Sequence, residues 1–259
     1  MSDGHKTETS EHIMEKVSAD THIGLVRDHN EDSFAYYLSP GKHMSFVAVA
    51  DGIGGHESGD IASNLCLKLL LSSFRDARFT EDTENEEWKK FLDDELRYTN
   101  EIIFRINEKY KIQHPMGTTV VAAVILKNSI IVAHAGDSRL YRVREDKIER
   151  LTQDHSFVAE LVRKNIISEE EALTHPFAHI ISKSVGPNPG LEPELNIFDN
   201  KPGDRYMLCS DGLTNHMDDN MIKKMMSSEQ NPHDAVKNLL NASLRGGGED
   251  NITIVCAFI

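Results

Sequence analysis

Apolar residues along this chain fall into two textures. In the first they run together: HMSFVAVA at 43–50, GTTVVAAVIL at 117–126, NSIIVAHAG at 128–136, RLYRVRE at 139–145, DRYMLCS at 204–210 and the closing NITIVCAFI. Short unbroken apolar runs bounded by turn residues predict strands buried inside a sheet. In the second texture apolar positions recur every three or four residues. Ile61, Leu65 and Leu69 do so over 57–75, with Ala62, Cys66 and Leu70 beside them, and Trp88, Leu92, Leu96, Thr99, Ile103, Ile106 and Tyr110 do so over 84–110. Such stripes predict amphipathic helices. Two more helices are predicted around 218–227 and 233–245, the second stopped by Gly246-Gly247-Gly248. Residues 155–185 are more polar, with a helical SFVAELVRKN and a second start at Ser168, where Glu171 completes a capping box. The connections Lys127-Asn128 and Gly136-Asp137-Ser138 are too short for parallel crossovers, so 117–145 is expected to form an antiparallel meander. Strands, helices, strands, helices and a last strand, in that order, predict antiparallel sheets covered by helices in one domain.

Charge and composition narrow the function. The 259 residues carry 28 Lys+Arg against 42 Asp+Glu, a formal charge of -14, with no concentrated basic patch. That excludes a nucleic-acid binder and an anionic-membrane binder. No apolar run approaches the ~18 residues of a membrane span, and MSDGHKTETSEHIMEKV lacks the apolar core of a signal peptide. Residues 1–17 are expected to be a disordered tail, and the cytoplasm is the default location. Cys66, Cys209 and Cys256 are few and far apart, which predicts buried free thiols in a reducing compartment.

One pattern carries candidate chemistry. An apolar strand stops and an Asp beside a Gly stands at its end: VAVADG (Asp51), VAHAGD (Asp137) and MLCSDG (Asp211). In GGGEDNITIV the order is reversed, with Asp250 ahead of the last strand, and Glu31-Asp32 in GLVRDHNED lies ahead of the 43–50 run. Any one of these reads as a turn. Together they would put several carboxylates at the rim of a core, where they repel unless something positive joins them. Hard cations such as Mg²⁺ or Mn²⁺ fill that role. A calcium-binding loop would need closely spaced ligands, whereas these run from residue 31 to residue 250.

GLVRDHNED, VADGIGGHESGD, GTT, AGDSRLY, LTQDHS, SVG, CSDGLT and GGGEDNITIV resemble, in order, the motifs of the metal-dependent Ser/Thr protein phosphatases of type 2C, most closely the compact bacterial members. The resemblance covers residues 20 to 259. It implies an α+β fold, a four-layer α-β-β-α sandwich of two antiparallel sheets flanked by helices. Residues 18–259 would form a single catalytic domain, with a flap at about 155–185. It implies hydrolysis of phosphoserine and phosphothreonine on proteins by a metal-bridging hydroxide, with two or three Mn²⁺ or Mg²⁺ ions per chain. Asp51 would bridge two metals, with the Gly52 carbonyl on one of them. Asp211 and Asp250 would complete the first site. Glu31 would serve the second, mostly through water, supported by Asp32. Asp137 with Asp211 would form a third, and Arg27 would hold the substrate phosphate. A monomer that opposes a Ser/Thr kinase is the implied setting.

The chemistry is consistent with those roles. Two cations about 3.5–4 Å apart neutralise a dianionic phosphate and lower the pKa of a water between them. Arg27 can grip phosphate oxygens with two parallel N–H groups. No Cys stands in a phosphate-cradling loop, so a cysteine nucleophile is not expected. The position after the Asp-Gly pair, a histidine in animal relatives, is Ile53 here, so the proton donor is open. His56 does not replace it by position. His134 reads as a packed side chain, and Asp154 with His155 as organisers of the turn into the flap. Two other readings remain: a phosphatase dedicated to one signalling partner, such as an anti-sigma-factor antagonist, and a non-catalytic phosphoprotein-binding module.

Overall fold

The computed structural model describes residues 16–40, 44–54, 58–80 and 82–259. The tail expected over 1–17 therefore lies outside the described residues except at its end, where Val17 already opens a strand.

Two antiparallel sheets form the centre. The first contains β1 (Val17–His22), β7 (Arg139–Arg144), β8 (Lys147–Arg150), β10 (Arg205–Cys209) and β11 (Ile252–Phe258), in the order β1-β11-β10-β7-β8. The second contains β2 (Asp32–Leu38), β3 (Met44–Ile53), β5 (Val120–Leu126), β6 (Ser129–Ala135) and β9 (Glu194–Asp199), in the order β2-β3-β5-β6-β9, with the short β4 (Gly117–Thr118) on the end of β3. Helices α1 (Gly59–Asp76) and α2 (Asn85–Tyr110) cover the second sheet. Helices α5 (Asp211–Thr214), α6 (Asp219–Ser228) and α7 (Pro232–Gly246) cover the first. Two short helices, α3 (Phe157–Arg163) and α4 (Glu169–Leu173), lie in the 155–185 segment.

The continuous apolar runs follow from this layering. Along β3, Phe46, Ala48 and Ala50 join the helix-facing cluster of Leu70, Phe74 and Trp88. Val47 and Val49 instead join Val121, Val132, Leu208 and Val255 between the sheets. A strand buried on both faces has no polar alternation. Trp88 is fully buried, stacked on Phe74 at 5.6 Å and meeting Phe79 edge-on at 4.6 Å between ring centroids. The helix ends carry their signals: Asp218 and Asn231 accept the N–H groups of Met221 and Asp234, and Ser168 with Glu171 forms the predicted capping box.

Two expectations change. Strands β1, β2, β8 and β9 were not predicted, and all four are sheet edges. An edge strand pairs on one side only and stays partly solvated. Sequences such as VSADTH, KIER and ELNIFD therefore carry no apolar run. The meander also breaks. Strands β5 and β6 form a hairpin, but β7 leaves for the other sheet and pairs with β10 and β8. Gly136-Asp137-Ser138 is thus a crossing between sheets. Gly136 makes it possible, with φ at 110° and a would-be Cβ only 2.5 Å from that of Thr119.

Candidate metal centre

Antiparallel pairing brings the end of one strand beside the start of the next. In the second sheet Asp32 at the start of β2 is the register partner of Asp51 near the end of β3. In the first sheet Cys209, which ends β10, pairs with both Arg139 of β7 and Ile254 of β11. Asp211 lies two residues beyond Cys209 and Asp137 two before Arg139, while Asp250 stands just ahead of β11. These carboxylates therefore share one end of the sandwich.

Hydrogen bonds join the two sheets there. The Ser210 hydroxyl donates to Asp32 Oδ2 at 2.7 Å and accepts the Thr253 N–H at 3.0 Å. The Glu31 N–H donates to Asn251 Oδ1 at 2.8 Å, and Asn251 Nδ2 donates to the carbonyls of Ile23 and His29, each at 2.9 Å. The backbone of Asp51 is held by Thr118 and Thr119, and the Thr119 hydroxyl pairs with Ser138 at 2.7 Å, next to Asp137. Gly52 donates its N–H to the Glu31 carbonyl at 3.1 Å. A side chain at Gly52 has no room, since its Cβ would lie 2.3 Å from the Gly59 carbonyl oxygen.

Crowding shows in the acidities. Burial first, and then the charges of Asp32, Asp211, Asp137 and Asp250, push the Asp51 carboxyl well above its usual range. Burial pushes Asp32 up to about 7; hydrogen bonds from Ser210 and Thr253 oppose this, and the charges of Asp211 and Asp250 add to it. Asp137 is pushed up to about 7 by burial, then by Asp211 and Asp154. Asp211 is raised by burial and Asp250. Arg27 Nη2 meets Asp250 Oδ2 at 2.7 Å on the open side of the cluster. Arg139 is committed to Asp154 by a fork of hydrogen bonds.

This donor set suits a divalent cation. The donors are oxygens, as hard cations prefer. The carboxylates destabilise one another's charged forms, and Glu31 Oε1 and Asp32 Oδ1 are buried without a hydrogen-bond partner among the described residues. Buried polar atoms are seldom left unmet without reason.

The residues expected to hold metal or phosphate, Arg27, Glu31, Asp32, Asp51, Gly52, Asp137, Asp211 and Asp250, lie at this end of the sandwich. The role considered for His56 falls outside the described residues. Ile53 follows Gly52 on β3 and carries no ionisable group. All three cysteines are buried and free. Asn251 was not anticipated as the anchor of the Glu31 loop; its place after Asp250 was the available signal. His134 is packed as expected, with its ring on that of His155 at 4.5 Å and 2° from parallel. Far apart along the chain, His134, His155 and Glu194 bring ligand atoms within 4.8 Å of one another. The His155 imidazole is pushed down to about 4, by burial and then by His134 and Lys183, so it is uncharged at neutral pH.

Comparison with known proteins agrees with this geometry. Residues 25–245 match the family model described as Protein phosphatase 2C. The serine/threonine phosphatase stp of Listeria welshimeri is 33% identical over 235 residues, covering 91% of this chain and 92% of that protein. The crystal structure of the serine/threonine phosphatase Stp1 from Staphylococcus aureus superposes with a TM-score of 0.88 at 32% identity, covering 99% of each chain. The catalytic domain of the serine threonine protein phosphatase PstP, solved in complex with two manganese ions, superposes with a TM-score of 0.79 at 33% identity, covering 94% of this chain and 97% of that one.

Proposed function

The chain belongs to the protein phosphatase 2C family, and from that membership we propose how its own residues carry the reaction. It is a metal-dependent protein-serine/threonine phosphatase that uses Mn²⁺ or Mg²⁺ to hydrolyse phosphoserine and phosphothreonine on proteins. The observation behind the residue assignment is the crowding of Asp51, Asp32, Asp137, Asp211 and Asp250, where burial and the charges of Asp32, Asp137, Asp211 and Asp250 make neighbouring carboxyls hold their protons above the usual range.

Asp51, the Gly52 carbonyl, Asp211 and Asp250 would hold one cation, Asp51 and Glu31 a second, and Asp137 with Asp211 a third. Bound cations neutralise the phosphate dianion and make water a competent nucleophile near neutral pH. Asp51 and Asp211 then orient rather than react. Asp32, fixed by Ser210, supports Asp51 from the neighbouring strand. Arg27, whose side chain is 54% exposed and paired with Asp250 at the rim, would grip the phosphate oxygens with its guanidinium. Ile53 cannot donate a proton, and a cation that Asp137 would hold could supply the acidic water needed by the serine or threonine oxygen.

A phosphopeptide assay tests this reading. Activity should vanish in EDTA and return with Mn²⁺, and full turnover in excess chelator would overturn it. Asp137→Ala should slow phosphopeptide hydrolysis far more than p-nitrophenyl phosphate hydrolysis, because p-nitrophenolate leaves without a proton and general-acid help is typically worth about 10²–10⁴. The proposed setting is a cytoplasmic monomer that opposes a Ser/Thr kinase. The buried free thiols support a reducing compartment, and among the described residues no helix is long and apolar enough to cross a membrane.

A further inference from the structure

Next to the Asp137 turn lies a cluster that the reaction above does not use. His134 on β6 and Glu194 on β9 are register partners. The ring of His155 lies on that of His134, and its Nε2 meets Glu194 Oε2 at 3.3 Å. Three ligand-capable residues within 4.8 Å suggest a cation seat, and His134 Nδ1 is buried without a partner among the described residues. The protons argue otherwise. His155 Nδ1 accepts the N–H of Gly136 at 3.2 Å. An uncharged imidazole carries one proton, so that proton is on Nε2, where Glu194 accepts it. A protonated ring nitrogen has no lone pair for a metal. The cluster fixes a tautomer.

The fixed tautomer holds a particular turn. Gly136 is buried, immediately precedes Asp137, and gives both backbone groups to His155: its N–H goes to Nδ1, and its carbonyl accepts the His155 N–H at 2.9 Å. The His155 carbonyl accepts the Ser182 N–H at 2.8 Å, and Ser156 bridges Ile181. One residue thus bonds the Asp137 turn to both ends of the 156–182 segment. Without an acceptor at Nδ1 the buried Gly136 N–H goes unmet, and a turn with an unmet donor rearranges to find one.

We propose that His155 is a positioning residue: its Nδ1, kept as an acceptor by Glu194, fixes the Gly136–Asp137 turn so that Asp137 presents its carboxylate to a cation, and its backbone ties that turn to the base of the 156–182 segment. The proposal rests on the reading of Asp137 as a cation ligand.

Calorimetric titration of the metal-free full chain with Mn²⁺ tests it. Residues that orient metal ligands typically contribute 10- to 100-fold in affinity. His155→Ala should weaken one Mn²⁺ binding event by about that factor and leave the others unchanged. His155→Asn places an oxygen near the Nδ1 position and should restore that event. His155→Gln places its polar group near Nε2 and should not. Asp137→Ala should lose the same event, which separates the two readings. If Asp137→Ala loses it while His155→Ala binds as wild type, the positioning role is wrong and the ligand assignment stands. If Asp137→Ala binds every Mn²⁺ as wild type, the ligand assignment itself fails, and the proposal with it. Should His155→Ala not fold, the Asn and Gln variants decide, and equal behaviour of those two overturns the proposal. So would a Zn²⁺ ion that is bound by Asp137→Ala and lost when His134→Ala is added, since the cluster would then be a metal seat.

Discussion

Replacing Asp137 with asparagine should stabilise the metal-free protein at alkaline pH, although it removes a charged group from the centre. In the folded chain the Asp137 carboxyl is pushed from 3.8 up to about 7, by burial and then by Asp211 and Asp154. The folded state therefore holds this proton more tightly than the unfolded chain does. The resulting stability is fully present below about 4, falls as pH rises towards 7, and is gone above it. Each unit is worth ~1.4 kcal/mol, so a gap of about three units sets an upper bound of roughly 4 kcal/mol at pH 8. Neighbours that share the charge reduce this, and about 2 kcal/mol is the working expectation. Asparagine cannot ionise and escapes the loss. Urea denaturation of both proteins in EDTA, from pH 4 to pH 8, measures the gap. It should be near zero at pH 4 and widen to about 2 kcal/mol at pH 8, or roughly 4–8 °C in Tm for a chain of this size. Mn²⁺ should reverse the order, because the wild-type carboxylate then has a counter-charge. An asparagine variant less stable than wild type at pH 8 without metal, or a gap that ignores pH, would refute the account of Asp137 as one of a set of mutually repelling carboxylates.

Three further outcomes follow from the same geometry. Asp211→Asn and Asp250→Asn keep shape and remove charge, so each should slow phosphopeptide hydrolysis at least about a hundredfold; a loss below about threefold in either would remove that residue from the first cation site. Arg27→Lys keeps the charge but loses the two-pronged grip, so KM should rise with little change in kcat in steady-state assays. Trp88→Ala empties the centre of the aromatic cluster under α2, and urea denaturation should show a loss of about 3–5 kcal/mol without a change in the number of Mn²⁺ ions bound.

The sequence alone determined the inner strands, the long helices and the identity of the acidic residues. Runs such as FVAVA and VVAAVIL are legible because a strand buried on both faces must be apolar at every position, a local property. The stripe from Trp88 to Ile106 is legible for the same reason, since one face of one helix meets one core. The placement of Asp51, Asp137 and Asp211 at strand ends was equally visible, because each closes or opens an apolar run. Tertiary structure decided the rest. Edge strands β1, β2, β8 and β9 are held by a single neighbour and remain partly solvated, so their residues do not announce them. The crossing of β7 to the other sheet turns on Gly136, whose neighbour Thr119 is 17 residues earlier in the chain. Arg27 reaches Asp250 across 223 positions, and Ser210 reaches Asp32 across 178. The grip of His155 on Gly136 likewise exists only after the 151–155 return has packed against β6 and β9. Local sequence encodes which face of an element avoids water; which elements then meet is fixed by pairing and packing across the whole chain, and that is where this centre is made.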